Sequence, residues 1–232
     1  TTLKTRIVAH SQQVVRADFE STNELPDTVA ERLLQTVTQA LSSSAGVVIS
    51  DYGKGVITAP LMDAVAAAAR KAGKFVAVDP KDAHVSVYRR VTTLTPNHHE
   101  AGFMAGRRIR DEESLRRVGF DLLRQLEAET LLITRGEHGM ALFEASGRWM
   151  LIPTVARTVY DVTGAGDTVV AAVAVTLAAG GTMRQAAYAA NVAAGEVIRE
   201  VGTACTTVAA MRRALAEIPV PKIEERIDTA VG

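Results

Sequence analysis

An α/β fold, in which helices flank a doubly wound and mostly parallel sheet, is the architecture that this 232-residue sequence predicts. Short continuous apolar runs, such as GVVIS at 46–50 and TLLIT at 130–134, are typical of strands buried on both faces of a parallel sheet. Helix-length segments separate these runs, and strands that alternate with helices indicate such a sheet. The composition agrees, because 47% of the residues are hydrophobic but only 4% are aromatic, which suits Ala-, Val- and Leu-rich helices layered on a sheet.

The first part of the chain begins with two strands and then alternates. β-Branched runs at 6–9 and 12–19 predict two strands joined by a tight polar turn. A helix follows at 27–41, where Asp27 can act as its cap. The later predictions are strand 46–50, helix 59–72, strand 74–79, a strand around 92–95, a helix after Asn97, helix 112–126 and strand 130–134.

The second part is predicted to contain a hairpin and three helices. Strands at 140–144 and 148–155 would be joined over Ser146-Gly147. The helices fall at 168–179, 182–199 and 206–216. We therefore expect one domain over 1–218 and a loosely packed tail over 219–232, since the tail contains prolines and mixed charge.

Charge and cysteine content exclude several functional classes. The 26 basic and 26 acidic residues give a net charge of zero, so nothing indicates a nucleic-acid or anionic-membrane partner. Cys205 is the only cysteine, which excludes an intrachain disulfide and favours a reducing compartment. The longest apolar run, 169–179, is shorter than a membrane span, and no signal-peptide pattern is present. We expect a cytoplasmic protein that acts on small molecules.

The stretch 159–181 combines a glycine-bearing turn with a long apolar helix. Gly164 and Gly166 allow a tight turn and a close approach by a ligand. The following helix is apolar all round, which predicts complete burial, and its free first-turn N–H groups would favour phosphate. Asp167 in this turn has two interpretations: a simple helix cap, or a general base that removes a proton from a hydroxyl.

Four polar clusters follow predicted strands, where ligands collect in open α/β sheets: SDYGKG at 50–55, VDPK at 78–81, TPNHHE at 95–100 and TRGEHG at 134–139. Lys54 is either a phosphate ligand or a solvated loop lysine. Asp79 and Lys81 either belong to the ligand site or form an ordinary surface ion pair. Asn97 and Glu100 match a capping box. His98 and His99 allow a metal site, although adjacent helical side chains point in different directions.

The residues D-V-T-G-A-G-D-T at 161–168, with the apolar helix after them, resemble the second signature of the ribokinase-like (PfkB) sugar kinases. This resemblance implies that Asp167 is the catalytic base and that the amides of Gly164, Ala165, Gly166 and Asp167 form an anion hole for the γ-phosphoryl group of ATP. It also implies a monovalent-cation site, such as one for K⁺, near Asp161 and Thr163. In the same family an N-x-x-E element similar to Asn97–Glu100 is associated with Mg²⁺ and phosphate, and Glu100 would act mostly through water.

Further residues would contact the nucleotide if the resemblance holds. TRGEHG is similar to the nucleotide loop of the family, so Thr134 and Gly136 would lie near the phosphates of ATP. The segment 189–203 is similar to the adenine side, where Asn191, Ala194 and Gly202 would line the pocket. The alternative for these small residues is ordinary helix packing.

Within the family, the sequence is most similar to the heptose-7-phosphate kinases, including the kinase half of the bifunctional heptose kinase/adenylyltransferase. The string KTRIVAHSQQVVRADFE at 4–20 carries this likeness. It implies ATP-dependent phosphorylation of the anomeric hydroxyl of D-glycero-β-D-manno-heptose 7-phosphate for lipopolysaccharide core, with Arg16, Asp51, Lys54 and Lys81 facing the sugar phosphate. The amino-terminal G-G-x-x-x-N-x-A element of the family is missing, so we expect an amino-terminally incomplete domain with the remnant of a small β lid.

Three alternatives remain open at this point. The chain could be a kinase for another sugar or sugar phosphate on the same scaffold. It could be a catalytically silent module that binds a nucleotide or a sugar, or a purely structural subunit. A homodimer is compatible with each of them.

Overall fold

The computed structural model describes residues 3–9, 12–155, 162–200, 202, 204–217 and 223–228. The strands are β1 Leu3–Ala9, β2 Gln12–Phe19, β3 Gly46–Ser50, β4 Phe75–Asp79, β5 Thr93–Leu94, β6 Thr130–Thr134, β7 Met140–Glu144, β8 Arg148–Ile152 and β9 Glu224–Ile227. The α-helices are α1 Asp27–Ala40, α2 Ala59–Lys71, α3 His98–Met104, α4 Glu112–Leu126, α5 Ala165–Ala178, α6 Met183–Val197 and α7 Val208–Glu217. Two 3₁₀ helices lie at Asp82–Val87 and Gly136–His138.

One seven-stranded sheet, in the order β3-β4-β5-β6-β7-β8-β9, forms the centre of the fold. The pairs from β3 to β6 are parallel, and those from β6 to β9 are antiparallel. Five strands, β3 to β6 and β8, therefore run in one direction. This arrangement confirms the predicted α/β fold with a mostly parallel sheet.

Two hydrophobic clusters show that helices cover both faces of this sheet. Leu131 and Ile133 of β6 belong to a cluster that includes residues of α2 and α4. Leu132, between them, belongs to a second cluster formed with α5 and α6. Successive side chains of a strand point to opposite faces, so the continuous apolar run of β6 fills two layers at once.

Strands β1 and β2 form a separate two-stranded antiparallel sheet, as expected for a small β lid. Large apolar side chains on this hairpin are exposed, among them Leu3, Val14 and Phe19. The hairpin is followed by α1, which precedes the first strand of the main sheet.

Two expectations about the second part of the chain are wrong. Helix α5 is not buried all round, because Val169 and Val173 face the core while Val175 is 70% exposed. The tail is not loosely packed throughout. Strand β9 pairs with the open edge of β8. Asp228, which is 9% exposed, forms an ion pair with Arg116 at 2.6 Å. Pairing at the sheet edge provides hydrogen-bond partners for the backbone N–H and C=O groups of β9, although the sequence of this strand is charged.

Within the described residues, no helix is both long and apolar enough to cross a membrane.

Candidate active site

The turn that opens α5 carries two N–H groups that have no partner among the described residues. Gly164 has φ 81° and is the N-cap residue, and its carbonyl accepts the amide N–H of Thr168 at 3.0 Å. The amide of Ala165 donates to the carbonyl of Val162 at 3.2 Å, so it is already used. The amides of Gly166 and Asp167 have no partner within the described part of the chain. A Cβ atom at Gly164 or Gly166 would meet nothing within 4 Å, which leaves room for an anion beside these donors.

The carboxylate of Asp167 does not cap its own helix. In the part of the chain that the structure describes, no side chain caps α5, and Asp167 is exposed in the first turn of the helix. The structure therefore does not support the interpretation of Asp167 as a simple helix cap. An exposed carboxylate beside free amides can accept a proton from a bound hydroxyl.

The carboxylate of Asp79 lies within range of the charges of Asp167 and Glu100. The pKa of Asp79, at the end of β4, is raised to about 6, mainly by burial and further by the negative charges of Glu100 and Asp167. Lys81 opposes this rise. Glu100 and Asp167, which both act on Asp79, belong to two other segments of the sequence, and α5 packs against β3 and β4.

Asn97 and Glu100 form the predicted capping box at the start of α3. The Asn97 Oδ1 atom accepts the amides of His99 at 2.9 Å and Glu100 at 3.0 Å, and Glu100 Oε2 accepts the amide of Asn97 at 2.9 Å. This box fixes the position of Glu100 through one carboxylate oxygen, Oε2, and does not use the other. Asn97 also forms a parallel bridge with Thr134, which brings α3 beside the loop after β6.

The adjacent histidines stack on each other. The ring centroids of His98 and His99 are 3.8 Å apart. The pKa of His98 is lowered, first by burial and then by the positive charges of His99, Arg135 and His138. Within the described residues, no group of three or more His, Cys, Asp or Glu side chains has the geometry of a metal site.

A cavity of about 420 Å³ leads to the open turn of α5. Its lining comprises Thr134, Gly136, Glu137, Gly139, Met140, Thr154, Val162, Ala165, Gly166, Val169, Asn191, Ala194, Gly195 and Ile198. The structure thus brings together the predicted nucleotide residues of the loop after β6 and of α6. The Asn191 amide nitrogen donates to the carbonyl of Pro153 at 2.7 Å, so this side chain also joins α6 to the end of β8. Gly202 is outside the lining.

Two of the cations expected to face a sugar phosphate, Arg16 and Lys54, already have acidic partners. Lys54 forms an ion pair with Glu20, and Arg16 Nε lies 3.0 Å from Asp18 Oδ1. The Lys54 side chain is 33% exposed, so it is not a fully solvated loop lysine. The neighbouring carboxylate of Asp51 is only 7% exposed.

Three residues of this region were missed by the sequence analysis. Tyr88 donates its hydroxyl to Asp51 Oδ2 at 2.5 Å, and Glu20 is the partner of Lys54. Arg135 is half-buried, and burial lowers its pKa. The position of Arg135 in the glycine-containing loop 134–139 could have identified it as a site residue, whereas no local sequence pattern indicated a role for Tyr88. Asp161 lies outside the described residues, and Thr163 beside it is exposed.

Known proteins are similar to this chain in sequence. Residues 1–209 match the family described as pfkB family carbohydrate kinase. The bifunctional protein HldE of Geotalea uraniireducens is 47% identical over 180 residues, which are 78% of this chain and 37% of the relative. The bifunctional protein HldE of Nitrobacter winogradskyi is 40% identical over 234 residues, with 100% of this chain and 48% of the relative covered. The chain thus spans less than half the length of these curated relatives.

The fold has solved counterparts. Phosphofructokinase-2 from Escherichia coli, in a complex with potassium, has a TM-score of 0.71 and 17% sequence identity to this chain. The likeness covers 87% of this chain and 66% of that one, and at this identity it shows the fold alone. The family match itself covers nearly the whole chain, including the turn of Gly164 to Asp167 and every residue that lines the cavity beside it. The chain therefore belongs to the pfkB family of carbohydrate kinases.

Proposed function

We propose that this chain transfers the γ-phosphoryl group of ATP to a hydroxyl group of a sugar phosphate. One observation carries the proposal: the carboxylate of Asp167 lies in the same open turn as the amides of Gly166 and Asp167, which have no partner among the described residues, and this turn borders the 420 Å³ cavity. A base and an anion hole in contact with one ligand are the two groups that phosphoryl transfer requires from a protein.

In this reaction each residue of the site has a separate role. Asp167 removes the proton from the attacking hydroxyl, and the N–H groups at the start of α5 stabilise the charge on the transferred phosphoryl group. Thr134 and Gly136 lie along the phosphates of ATP, while Asn191 and Ala194 of α6 border the nucleoside. Gly202 belongs to the same end of the nucleotide site in this proposal.

The carboxylates at the strand ends fit a magnesium ion. Mg²⁺ prefers oxygen ligands, keeps several waters and takes few carboxylates, and Glu100 offers one oxygen that its capping box does not use. Bound there, Mg²⁺ would supply positive charge to the bridging phosphates. Thr163, with Asp161, is our proposed site for a monovalent cation such as K⁺, and the potassium complex of the structurally similar phosphofructokinase-2 supports this assignment.

We propose D-glycero-β-D-manno-heptose 7-phosphate as the acceptor, phosphorylated at its anomeric hydroxyl in the cytoplasm on the route to lipopolysaccharide core. The support comes from the string at 4–20 and from relatives named bifunctional protein HldE, 40–47% identical. Arg16, Asp51, Lys54 and Lys81 are the residues on the side of the acceptor. Substrate binding would require Lys54 and Arg16 to share or exchange their acidic partners.

The test is ADP release in a coupled assay with Mg-ATP and one of three acceptors: heptose 7-phosphate, fructose 6-phosphate or ribose. Both this chain and a version extended at its amino end should be assayed. Turnover selective for the heptose phosphate would support the reaction and the acceptor together. Turnover on another sugar would keep the kinase and refute the heptose, and ATP binding without turnover by either version would indicate a silent binding module.

A further inference from the structure

Tyr88 is a fully buried tyrosine below the side of the site assigned to the sugar phosphate. Its exposed fraction is 0%, and its ring belongs to the same hydrophobic cluster as Val78 and Leu94. A phenylalanine would fill this space equally well. A hydroxyl in such a place costs free energy unless it is hydrogen-bonded, so its partners indicate what it does.

The hydroxyl of Tyr88 connects two loops that follow neighbouring strands. It donates to Asp51 Oδ2 at 2.5 Å in the loop after β3, and it accepts the amide N–H of Lys81 at 2.9 Å in the loop after β4. The carbonyl of Lys81, at 3.3 Å, is a second acceptor within reach. Burial and the hydrogen bond to Asp51 raise the pKa of Tyr88, which keeps the hydroxyl a donor.

The other oxygen of Asp51 extends the connection into its own loop. Asp51 Oδ1 accepts the amide of Gly53 at 2.7 Å, immediately before Lys54. Parallel pairing between β3 and β4 ends at Ser50 and Asp79, followed by one more bond from the amide of Asp51 to the carbonyl of Asp79 at 3.1 Å. Beyond that point the Tyr88 hydroxyl links the two loops, and Asp51 extends this link to the Gly53 amide beside Lys54.

We propose that Tyr88 is a positioning residue for the acceptor side of the site: its hydroxyl sets the spacing between the loop 51–55 and the loop 80–81. This inference rests on the proposed function, because that function makes Asp51, Lys54 and Lys81 the contacts of the sugar phosphate. Both loops lie on the acceptor side, and neither contributes to the lining of the nucleotide cavity. Loss of the hydroxyl should therefore weaken binding of the sugar phosphate and leave binding of ATP unchanged.

The experiment compares Tyr88→Phe with Tyr52→Phe in the full chain. Tyr52 is a matched control, since it lies in the same loop but is 59% exposed. Amide hydrogen exchange, followed by NMR, should show the Gly53 N–H exchanging about tenfold faster in Tyr88→Phe and unchanged in Tyr52→Phe. Gly53 makes no bond to Tyr88, so this change can arise only through release of Asp51. The KM for the sugar phosphate should rise about tenfold, with the KM for ATP within about twofold of the wild-type value.

Two results would overturn the proposal: unchanged exchange at Gly53, or equal losses for the sugar phosphate and ATP, which would mean a general loss of structure. If Tyr88→Phe does not fold, Asp51→Asn tests the same link from the other end. It should accelerate exchange of the Lys81 N–H, which donates to the Tyr88 hydroxyl. Protection of Lys81 unchanged in that variant would refute the link. Failure of the wild-type chain to bind any sugar phosphate would refute the proposed function, while the exchange data would still decide the connection between the loops.

Discussion

The ammonium group of Lys54 forms an ion pair with the carboxylate of Glu20, and this pair joins the β1–β2 hairpin to the loop after β3. The amide of Leu25 donates to the carbonyl of Gly55 at 3.0 Å in the same region. Gly55 has φ +78°, and a Cβ atom there would lie 1.9 Å from the carbonyl oxygen of Asn23. The chain leaving the hairpin is thus held directly against the loop that carries Lys54.

Replacing Lys54 by methionine should affect both binding and stability. We expect the dissociation constant for the sugar phosphate to rise about tenfold, because one charged contact is lost, while ATP binding stays the same. The free energy of unfolding should fall by about 1 kcal/mol, since Glu20, only 17% exposed, loses its partner. Calorimetric titration and urea unfolding measure the two effects. Lys71→Met, at an exposed position in α2, is the control, and wild-type affinity for the sugar phosphate in Lys54→Met would remove Lys54 from the acceptor site.

Asp167→Asn should reduce turnover by about two to four powers of ten, the usual contribution of one general base. The amide keeps the shape of the side chain but cannot remove a proton at neutral pH, so ATP binding should change little. Steady-state rates and nucleotide titration separate these effects. Asp27→Asn is the matched control, because Asp27, like Asp167, is an exposed carboxylate in the first turn of a helix. Undiminished turnover in Asp167→Asn would show that another group acts as the base.

The two glycines of the turn should respond differently to alanine. Gly164→Ala should lower the free energy of unfolding by about 1 kcal/mol, because φ 81° is unfavourable for a residue with a Cβ atom. Gly166 lies inside α5, where alanine is a better helix former, so Gly166→Ala should be as stable as the wild type or slightly more stable. Its methyl group would nevertheless fill the space in front of the free amides, and we expect turnover to fall about 10- to 100-fold. Urea unfolding and rate measurements on both variants test this; a Gly166→Ala enzyme with full activity would mean that the phosphoryl group does not approach this turn.

Much of the fold follows from local sequence signals. The apolar runs of β3 and β6 and the Asn97–Glu100 capping box are short-range patterns, and the structure contains all three. The cavity also brings together Thr134, Gly136, Asn191 and Ala194 as the family resemblance implied.

What the sequence did not reveal depends on long-range partners. Tyr88 reads as an ordinary core residue until Asp51, 37 positions earlier, is placed against its hydroxyl. The charged segment of β9 has no strand-like pattern, and only the free edge of β8 explains its pairing. The exposure of Val175 likewise depends on which face of α5 packs against the rest of the protein. A helix that is apolar on all sides does not specify that face.

The raised pKa of Asp79 predicts a stability effect that depends on pH. Burial, then the charges of Glu100 and Asp167, raise this pKa from 3.8 to about 6 in the folded protein. Folding thus favours the protonated carboxyl: the stabilising contribution is complete below about pH 4 and is lost as the pH rises through 6. Asp79→Asn removes the charge, so the variant should exceed the wild type in free energy of unfolding by about 1–3 kcal/mol at pH 8, and this difference should shrink to near zero at about pH 4.

Urea unfolding of both proteins between pH 4 and pH 8 measures this difference, with Asp27→Asn as an exposed control. Addition of Mg²⁺ should move the transition to lower pH, because a cation held near Glu100 attracts the ionised form of Asp79. If the difference in free energy of unfolding between Asp79→Asn and the wild type stays constant from pH 4 to pH 8, the pKa of Asp79 is not raised by folding. If the pH of the transition does not change when Mg²⁺ is added, the metal does not bind near Asp79, because a nearby cation would lower the pKa of this carboxyl group.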